Sequence, residues 1–310
     1  MEQQKKSIGV VLVEALLGLL GRLPLRFHLA WGRFFSWVLR VLLHYRRDVV
    51  LINLSRSFPE LKYKELRQLE KRSYDHLGRL IAEAVWFGSC KNAKGRKRLN
   101  DSHIVDIENP EVFNEVYENS TNVMVLSSHA GNWELLGGWF SYNHDEDVPL
   151  KSDFSEIGVV YRRLKSKLWD RVIADNRCNS IKDTGFHGYL EATEIFRFAI
   201  SHRRQKFIYI FPTDQYPYKI ATKHNVGKFL NQETLAMTGG AALANKFGMS
   251  VSYLRWKDLG PGKYGVEFVP LCSNAAEHSP ESIMEMYYAE LEKDIKAQPW
   301  NYLWTHKRWK

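Results

Sequence analysis

The stretch NVMVLSSHAGNWELLGGWF, residues 122–140, contains the transition that decides the fold. Its first part, NVMVL, is short, apolar and rich in valine, which predicts a buried strand. Asn132 is a favourable N-cap, and Glu134 would lie in the first turn of a helix, where a negative charge interacts well with the helix dipole. The stretch therefore predicts a strand, a short loop that carries His129, and then a helix.

Four further runs rich in β-branched and aromatic residues alternate with helix-like segments in the rest of the chain. The runs are IGVVYRR (157–163), KFIYIFP (206–212), MSVSYLRW (249–256) and YGVEFVP (264–270). The helix-like segments are 133–144, 164–176, 188–203, 233–247 and 280–297. This alternation predicts an α/β domain over residues 49–310, with a mixed, mostly parallel central sheet flanked by helices. Ligands are expected at the carboxyl ends of its strands.

Composition narrows the class of protein. Of the 310 residues, 45% are hydrophobic, which is enough to bury a core. The formal net charge of +9 favours an acidic partner: an anionic membrane surface, an acidic carrier protein, a phosphorylated substrate or a nucleic acid. No nucleic-acid-binding motif accompanies this charge, so we do not expect a nucleic acid as partner. Three scattered cysteines, Cys90, Cys178 and Cys272, suggest no disulfide framework and favour a reducing compartment.

Residues 1–48 are predicted to form an N-terminal membrane-associated segment. After MEQQKK, a very apolar sequence is interrupted by charged residues and by Pro24. A spanning helix needs about 20 nearly uncharged apolar residues, and no run here is that long. The pattern favours two amphipathic helices lying in the membrane interface and joined near Pro24. Two alternatives remain open: a single span that tolerates Glu14, and helices that pack only on the protein's own core.

A long helix and a basic run follow the N-terminal segment. Residues 62–87 have apolar residues at helical spacing with charges between them, which predicts one long amphipathic helix. The basic residues that follow, within 91–98, are either a solvated loop or a patch that binds phosphates or an acidic carrier.

His129 is the candidate catalytic residue. A carboxylate near one imidazole nitrogen would fix its tautomer and raise its basicity, leaving the other nitrogen free to remove a proton from a hydroxyl. Glu134, five positions on, is the nearest carboxylate in sequence and the expected partner. This is the base-and-orienter half of a catalytic triad without a protein nucleophile, which suits a substrate alcohol as nucleophile. The alternative is a histidine that ends a strand beside a glutamate that only caps a helix.

Several other chemistries lack their motifs. There is no GxSxG elbow for a serine hydrolase, and neither HExxH nor CxxC for zinc. Walker A and dinucleotide-binding fingerprints are also missing from the sequence. We therefore expect neither a metal nor a cofactor.

Five motifs together resemble one known family. They are HAGNWE (129–134), NLSRSFPEL (53–61), VVYRRL (159–164), PTDQYP (212–217) and QPWNYLWTHKRWK (298–310). The first resembles the His-x4-Asp/Glu signature of glycerolipid acyltransferases. In this order, the set resembles the late lauroyl/myristoyl acyltransferases of lipid A biosynthesis, over roughly residue 40 to residue 310.

The resemblance implies a reaction and roles for particular residues. His129 would be the general base and Glu134 its partner, while Arg162, Asp214 and Asn132 would be substrate-binding residues. Arg162 could hold a phosphate or stabilise the thioester oxyanion. Asp214 could orient that arginine or bind a sugar hydroxyl. For both, a structural ion pair is the alternative.

The implied donor is acyl-acyl carrier protein, and the implied acceptor is a hydroxyacyl chain of a lipid A precursor. The implied location is the cytoplasmic face of the bacterial inner membrane, with its anionic surface as a further partner. GKFLNQET (227–234) and SHRRQKF (201–207) depart from the family pattern, which leaves acyl length and the acceptor open.

Two rival functions belong to other classes. A non-catalytic lipid-binding protein of the membrane surface could keep the fold without the reaction, and a hydrolase could use His129 to activate water. An acyltransferase with another glycolipid or phospholipid acceptor is a closer alternative. The final motif, with its tryptophans and basic residues, is either an interfacial anchor or a segment docked on the fold.

Overall fold

A seven-stranded sheet forms the centre of the protein in the computed structural model, which describes residues 7–186, 189–219 and 221–310. The strands are β1 Val105–Ile107, β2 Asn122–Ser127, β3 Ile157–Tyr161, β4 Tyr189–Glu191, β5 Phe207–Pro212, β6 Lys223–Phe229, β7 Gln232–Met237, β8 Ser250–Gly260 and β9 Lys263–Cys272. Their order in the sheet is β1-β9-β8-β2-β5-β3-β4, while β6 and β7 form a separate antiparallel hairpin. Only β8 and β9 pair antiparallel within the large sheet, which confirms the predicted mixed, mostly parallel α/β fold.

The α-helices either precede the sheet in the chain or flank it. They are α1 Ile8–Gly21, α2 Leu25–Trp37, α3 Arg47–Ser57, α4 Tyr63–Phe87, α5 Asn92–Ser102, α6 Pro110–Glu118, α7 Lys167–Cys178, α8 Ile195–His202, α9 Gly239–Phe247 and α10 Pro280–Ala297. A π-helix, Val38–Leu42, continues α2, and three short 3₁₀ helices lie at Trp133–Ser141, Phe154–Glu156 and Ala275–Glu277.

The strand β2 is central and every one of its residues is buried. It pairs in parallel with β8 on one side and with β5 on the other. Strands that are covered on both faces read as continuous apolar runs, which explains the NVMVL pattern. The core around β2 therefore fixes the position of the loop that follows it.

In three segments the predicted helix is present but differs from the prediction in its extent or type. The segment 233–247 contains the strand β7 before its helix α9, because β7 closes a hairpin whose turn residues Leu230 and Asn231 both have positive φ. The segment 188–203 begins with the short strand β4, and its first residue, Gly188, lies outside the described residues. The predicted helix at 133–144 is a 3₁₀ helix.

The predicted helix at 62–87 is confirmed as α4, and the basic run that follows lies on the helix α5. Three of the five cations in the run 91–98 contact the protein, namely Arg96, Lys97 and Arg98. Arg96 pairs with Asp183, and Arg98 donates to the carbonyl oxygens of Gly21 and Leu23 at the end of α1. The run 91–98 is therefore not a solvated loop. It is also not a free basic patch along its whole length, because Arg98 anchors the N-terminal helices.

From residue 7 on, the N-terminal segment forms two helices that are joined at Pro24, as the sequence predicts. Within the described residues, no single helix is long and apolar enough to cross a membrane. Only α1 and α2 extended to Leu42 together meet that requirement, and they are bent by 115°.

The helix α2 packs closely on α4 through small residues. A side chain at Gly78 would meet the carbonyl oxygen of Gly32 at 2.3 Å, so the two backbones touch there. The opposite side of this segment exposes a row of large apolar side chains: Phe27, Trp31, Phe34, Phe35, Trp37, Val41 and Leu42. The helices could therefore be membrane-associated while resting on the core. The boundary between residues 1–48 and 49–310 stays a prediction.

Candidate active site

The register of β2 and β5 brings His129 and Asp214 together. Ser127 lies opposite Pro212 in the parallel ladder, and the amide of Thr213 donates to the carbonyl oxygen of Ser127 at 3.1 Å. His129 and Asp214 each follow the last paired residue by two positions. Nδ1 of His129 lies 2.7 Å from Oδ1 of Asp214, so the carboxyl edge of the sheet creates the pair.

The second imidazole nitrogen faces a side-chain amide. Nε2 of His129 lies 3.1 Å from Nε2 of Gln215, the residue after Asp214. In the tautomer that fits both contacts, Nδ1–H donates to Asp214, and Nε2 accepts from the amide. Trp133 packs its ring edgewise against the imidazole, with 4.8 Å between centroids. The basic nitrogen is therefore Nε2, held ready to accept a proton.

Asp214 is ionised in this pair although its residue is only 1% exposed. Burial raises its pKa, but the charge and the hydrogen bonds of His129 outweigh that effect and bring the pKa below its ordinary value. An ionised carboxylate at this distance stabilises the positive charge that an imidazole gains when it takes up a proton. Asp214 thus occupies the position expected for the orienting carboxylate.

Glu134 has another partner. It forms an ion pair with Arg177 of α7, whose Nε donates to Oε2 at 2.6 Å, and it accepts from the indole N–H of Trp133 at 3.0 Å. The expected hydrogen bond between Glu134 and His129 is therefore corrected: Asp214 and Gln215 occupy the two imidazole nitrogens. Burial raises the pKa of Glu134, and Arg177 more than compensates, so this pKa too is lowered.

Glu134→Ala is expected to destabilise the fold by about 2–3 kcal/mol, because it leaves the guanidinium of Arg177 without its carboxylate. A fully buried pair would lose about 3–5 kcal/mol, and the side chain of Arg177, at 21% exposed, keeps part of its hydration. Urea unfolding at neutral pH measures the loss. The matched control is Glu118→Ala, which breaks the exposed pair with Lys151 and is expected to cost at most about 1 kcal/mol. Equal losses for both variants would contradict a supporting role for the Glu134 pair.

Asn132 and Arg162 lie in contrasting positions. Asn132 caps the 3₁₀ helix, as predicted, by accepting from the amide of Glu134, and it donates to Glu83. It is fully buried, and its expected contact with substrate stays a prediction. Arg162 follows β3 on the same edge as His129 and is exposed, with its guanidinium 3.9 Å from the ring centroid of Tyr218. It is accessible to a ligand.

The segment 298–310 docks on the loop that carries His129. The amide of Leu303 donates to the carbonyl oxygen of His129 at 3.1 Å, and the amide of Gly131 donates to Asn301. Gly131 has φ +64°, and a Cβ there would meet Trp256 at 2.6 Å, which explains the glycine of HAGNWE. Of the two interpretations of the final motif, docking is the one the structure shows, since Trp304 is buried.

His306 of the same segment is kept neutral. Burial lowers its pKa from 6.5 to about 4. Between these values the unfolded chain takes up a proton that the folded protein does not, so the free energy of unfolding is expected to fall by up to about 3 kcal/mol as the pH drops from 6.5 to 4. Comparing the wild type with His306→Gln by urea unfolding across this range isolates the contribution. The variant should show the weaker pH dependence, and identical pH dependence would contradict the prediction.

The sequence analysis missed Gln215, Arg177 and Trp133. Gln215 lies inside the PTDQYP motif, so its adjacency to Asp214 was a usable signal, whereas Arg177 lies in a helix without any motif. Among the described residues, His103, Asp106 and His144 form a group that could supply three ligands to a metal ion. This group does not include His129.

Neither imidazole nitrogen of His129 is hydrogen-bonded to a serine or cysteine among the described residues. A histidine–carboxylate pair at the carboxyl edge of a mostly parallel α/β sheet can act as a general base toward a substrate hydroxyl or a water molecule. The family comparison agrees. The model of the family described as bacterial lipid A biosynthesis acyltransferase matches residues 3–310. The chain belongs to this family, so it is an acyltransferase of lipid A biosynthesis. A search of curated proteins finds no match.

Proposed function

We propose that the protein transfers a fatty acyl group from acyl-acyl carrier protein to the hydroxyl of a hydroxyacyl chain on a lipid A precursor. The observation that carries this proposal is the 2.7 Å contact between Nδ1 of His129 and Asp214, which leaves Nε2 as a base whose one hydrogen-bond partner among the described residues is the amide of Gln215. A base without a protein nucleophile fits direct attack by the acceptor hydroxyl.

In the proposed reaction, the acceptor hydroxyl takes the place of the Gln215 amide at Nε2 of His129. Nε2 accepts the hydroxyl proton as the oxygen attacks the thioester carbonyl carbon. The tetrahedral intermediate collapses, the carbon–sulfur bond breaks, and His129 returns the proton to the leaving thiolate. Asp214 stabilises the transient imidazolium and holds its orientation throughout. The products are the ester and the free thiol of the carrier.

Arg162 is the proposed polar contact for a substrate. Its exposed guanidinium, which lies over the ring of Tyr218, could bind a phosphate of the acceptor or the oxyanion of the thioester. Glu134 contributes indirectly in this scheme. Its ion pair with Arg177 and its hydrogen bond with Trp133 hold in place the indole against which the imidazole packs.

The proposed location is the cytoplasmic face of the bacterial inner membrane. The exposed aromatic side chains of α2 and the exposed aliphatic side chains of its π-helical extension support contact with the membrane interface. The formal net charge of +9 supports attraction to an anionic bilayer surface and to an acidic carrier protein.

The test incubates detergent-solubilised protein with acyl-acyl carrier protein and a tetra-acylated, phosphorylated lipid A precursor, and follows the mass of the lipid. A gain of one acyl group that requires both substrates supports the proposal. Release of free fatty acid without acceptor would favour the hydrolase alternative. Acylation of another glycolipid or phospholipid in place of the precursor would change the acceptor, and binding to lipid without any product would favour the non-catalytic alternative.

A further inference from the structure

A second polar site lies between α2, α4 and the turn that joins β8 to β9. It is an open cleft of about 800 Å³. Five cationic side chains and two carboxylates line it, which leaves a net charge of +3. Arg33 and Arg40 come from α2 and its π-helical extension, whereas Lys71 and Arg72 come from α4.

The two carboxylates of the cleft are already engaged. Asp258 forms an ion pair with Arg79 at 2.6 Å, and Asp75 accepts from the hydroxyl of Ser36 at 2.5 Å. Among the described residues, no salt bridge is formed by the other four cations, which are Arg33, Arg40, Lys71 and Arg72. The carboxylate of Asp75 keeps its charge, since a hydroxyl does not neutralise it, so the cleft holds a net charge of +3 at a cost in mutual repulsion.

One of these four cations, Arg72, is held in place by a rigid contact. The guanidinium of Arg72 stacks on the indole of Trp300, with 3.2 Å to the ring centroid, and the indole N–H donates to Asp258 at 2.8 Å. The close approach of Gly32 to Gly78 fixes α2 against α4. Arginine side chains fixed in this way lose little conformational entropy when they bind an oxyanion.

The cleft opens beside the apolar face of the N-terminal helices. Trp37, which is 48% exposed, and Leu259, which is 52% exposed, both line it. Trp37 belongs to the same exposed aromatic row as Phe34, with which it stacks. An anion in this cleft would therefore sit at the depth of lipid headgroups when the aromatic row enters the membrane interface.

We propose that this cleft binds the phosphate group of an anionic membrane lipid. Phosphate matches several converging guanidinium and ammonium groups, since each of its oxygens can accept charge-assisted hydrogen bonds. A lipid phosphate bound in the cleft would hold α2 on the bilayer in one orientation. Diffuse electrostatic attraction does not fix the orientation. The inference concerns anchoring and does not depend on the acyl-transfer reaction.

The test compares two double variants of the full-length protein that remove equal charge. Arg33→Gln with Lys71→Gln removes two exposed cations of the cleft, neither of which forms an ion pair with any residue that the structure describes, and leaves the Arg72 stack intact. Arg22→Gln with Arg26→Gln removes two exposed cations of the same N-terminal segment outside the cleft. Flotation with phosphatidylcholine vesicles, with and without phosphatidic acid, gives the affinities, and circular dichroism checks the fold.

The cleft variant is expected to lose affinity for phosphatidic acid vesicles about 10-fold or more beyond the loss of the control variant, because it removes charge-assisted hydrogen bonds and not only net charge. Equal losses would overturn the proposal in favour of diffuse attraction. Calorimetry with inorganic phosphate provides the second arm. Suppose that inorganic phosphate binds in the cleft of the wild type but does not displace the protein from either kind of vesicle. The ligand is then a soluble phosphate, and the assignment to a lipid is wrong.

Discussion

His129→Ala is expected to lower kcat of acyl transfer by about 10²–10⁴-fold, because the substrate hydroxyl then has to lose its proton to water. Nε2 is the nitrogen left to accept that proton, since Nδ1 is engaged by Asp214 at 2.7 Å. Initial rates at saturating donor, followed by the mass of the acylated lipid, measure the loss.

The variant should remain folded. The contact of residue 129 with Leu303 runs through its carbonyl oxygen and does not need the imidazole. His129→Gln offers a polar side chain without a base, and it should be impaired to the same extent. A His129→Ala protein with the wild-type rate would contradict the proposed mechanism, whereas loss of activity together with loss of the circular dichroism signal would call for the glutamine variant to decide.

Asp214→Asn is expected to reduce kcat to a comparable degree, about 10²–10⁴-fold. An amide at this position carries no charge to stabilise the imidazolium, and its N–H₂ can donate to Nδ1, which would move the proton to Nε2 and remove the base. Nitrogen-15 chemical shifts of labelled histidine report which imidazole nitrogen carries the proton. They should show Nδ1 protonated in the wild type and an altered tautomer in the variant.

Glu134→Gln is the comparison for Asp214→Asn, because it removes the other carboxylate near the same ring. Its effect should appear mainly as reduced stability, through the loss of the ion pair with Arg177. A Glu134→Gln variant with unchanged stability and a rate as low as that of Asp214→Asn would make Glu134 the functional partner of His129.

The contrast between these two carboxylates shows what the sequence could predict about the site. His129 and Asp214 were both placed at the carboxyl ends of strands by local patterns alone. Their pairing depends on β2 lying next to β5, and on a register that sets Ser127 opposite Pro212. No local pattern encodes which strands are neighbours, so the carboxylate five residues away seemed a better partner than the one 85 residues away.

The same contrast between local and long-range information separates the secondary-structure elements that were predicted from those that were missed. The central strands and α4 have strong periodicity because one or both of their faces are buried, and they were predicted within a few residues. The edge strands β1 and β4 are three residues long and carry too little pattern to detect. The hairpin of β6 and β7 was missed because its strands mix polar and small residues, and its stability comes from packing with distant elements such as Trp309, which stacks on Phe229.

The docking of residues 298–310 on the His129 loop has a consequence for synthesis of the protein on the ribosome. The amides of Leu303 and Gly131 complete their hydrogen bonds only when strand β2 and a segment about 170 residues further along the chain are both present. A nascent chain that has already emerged through α10 can form every strand of the sheet, yet it still lacks the backbone partners that shape this loop. Contacts of such long sequence separation form late in folding. His129 therefore reaches the geometry seen in the structure only after the segment 298–310 has joined the completed sheet.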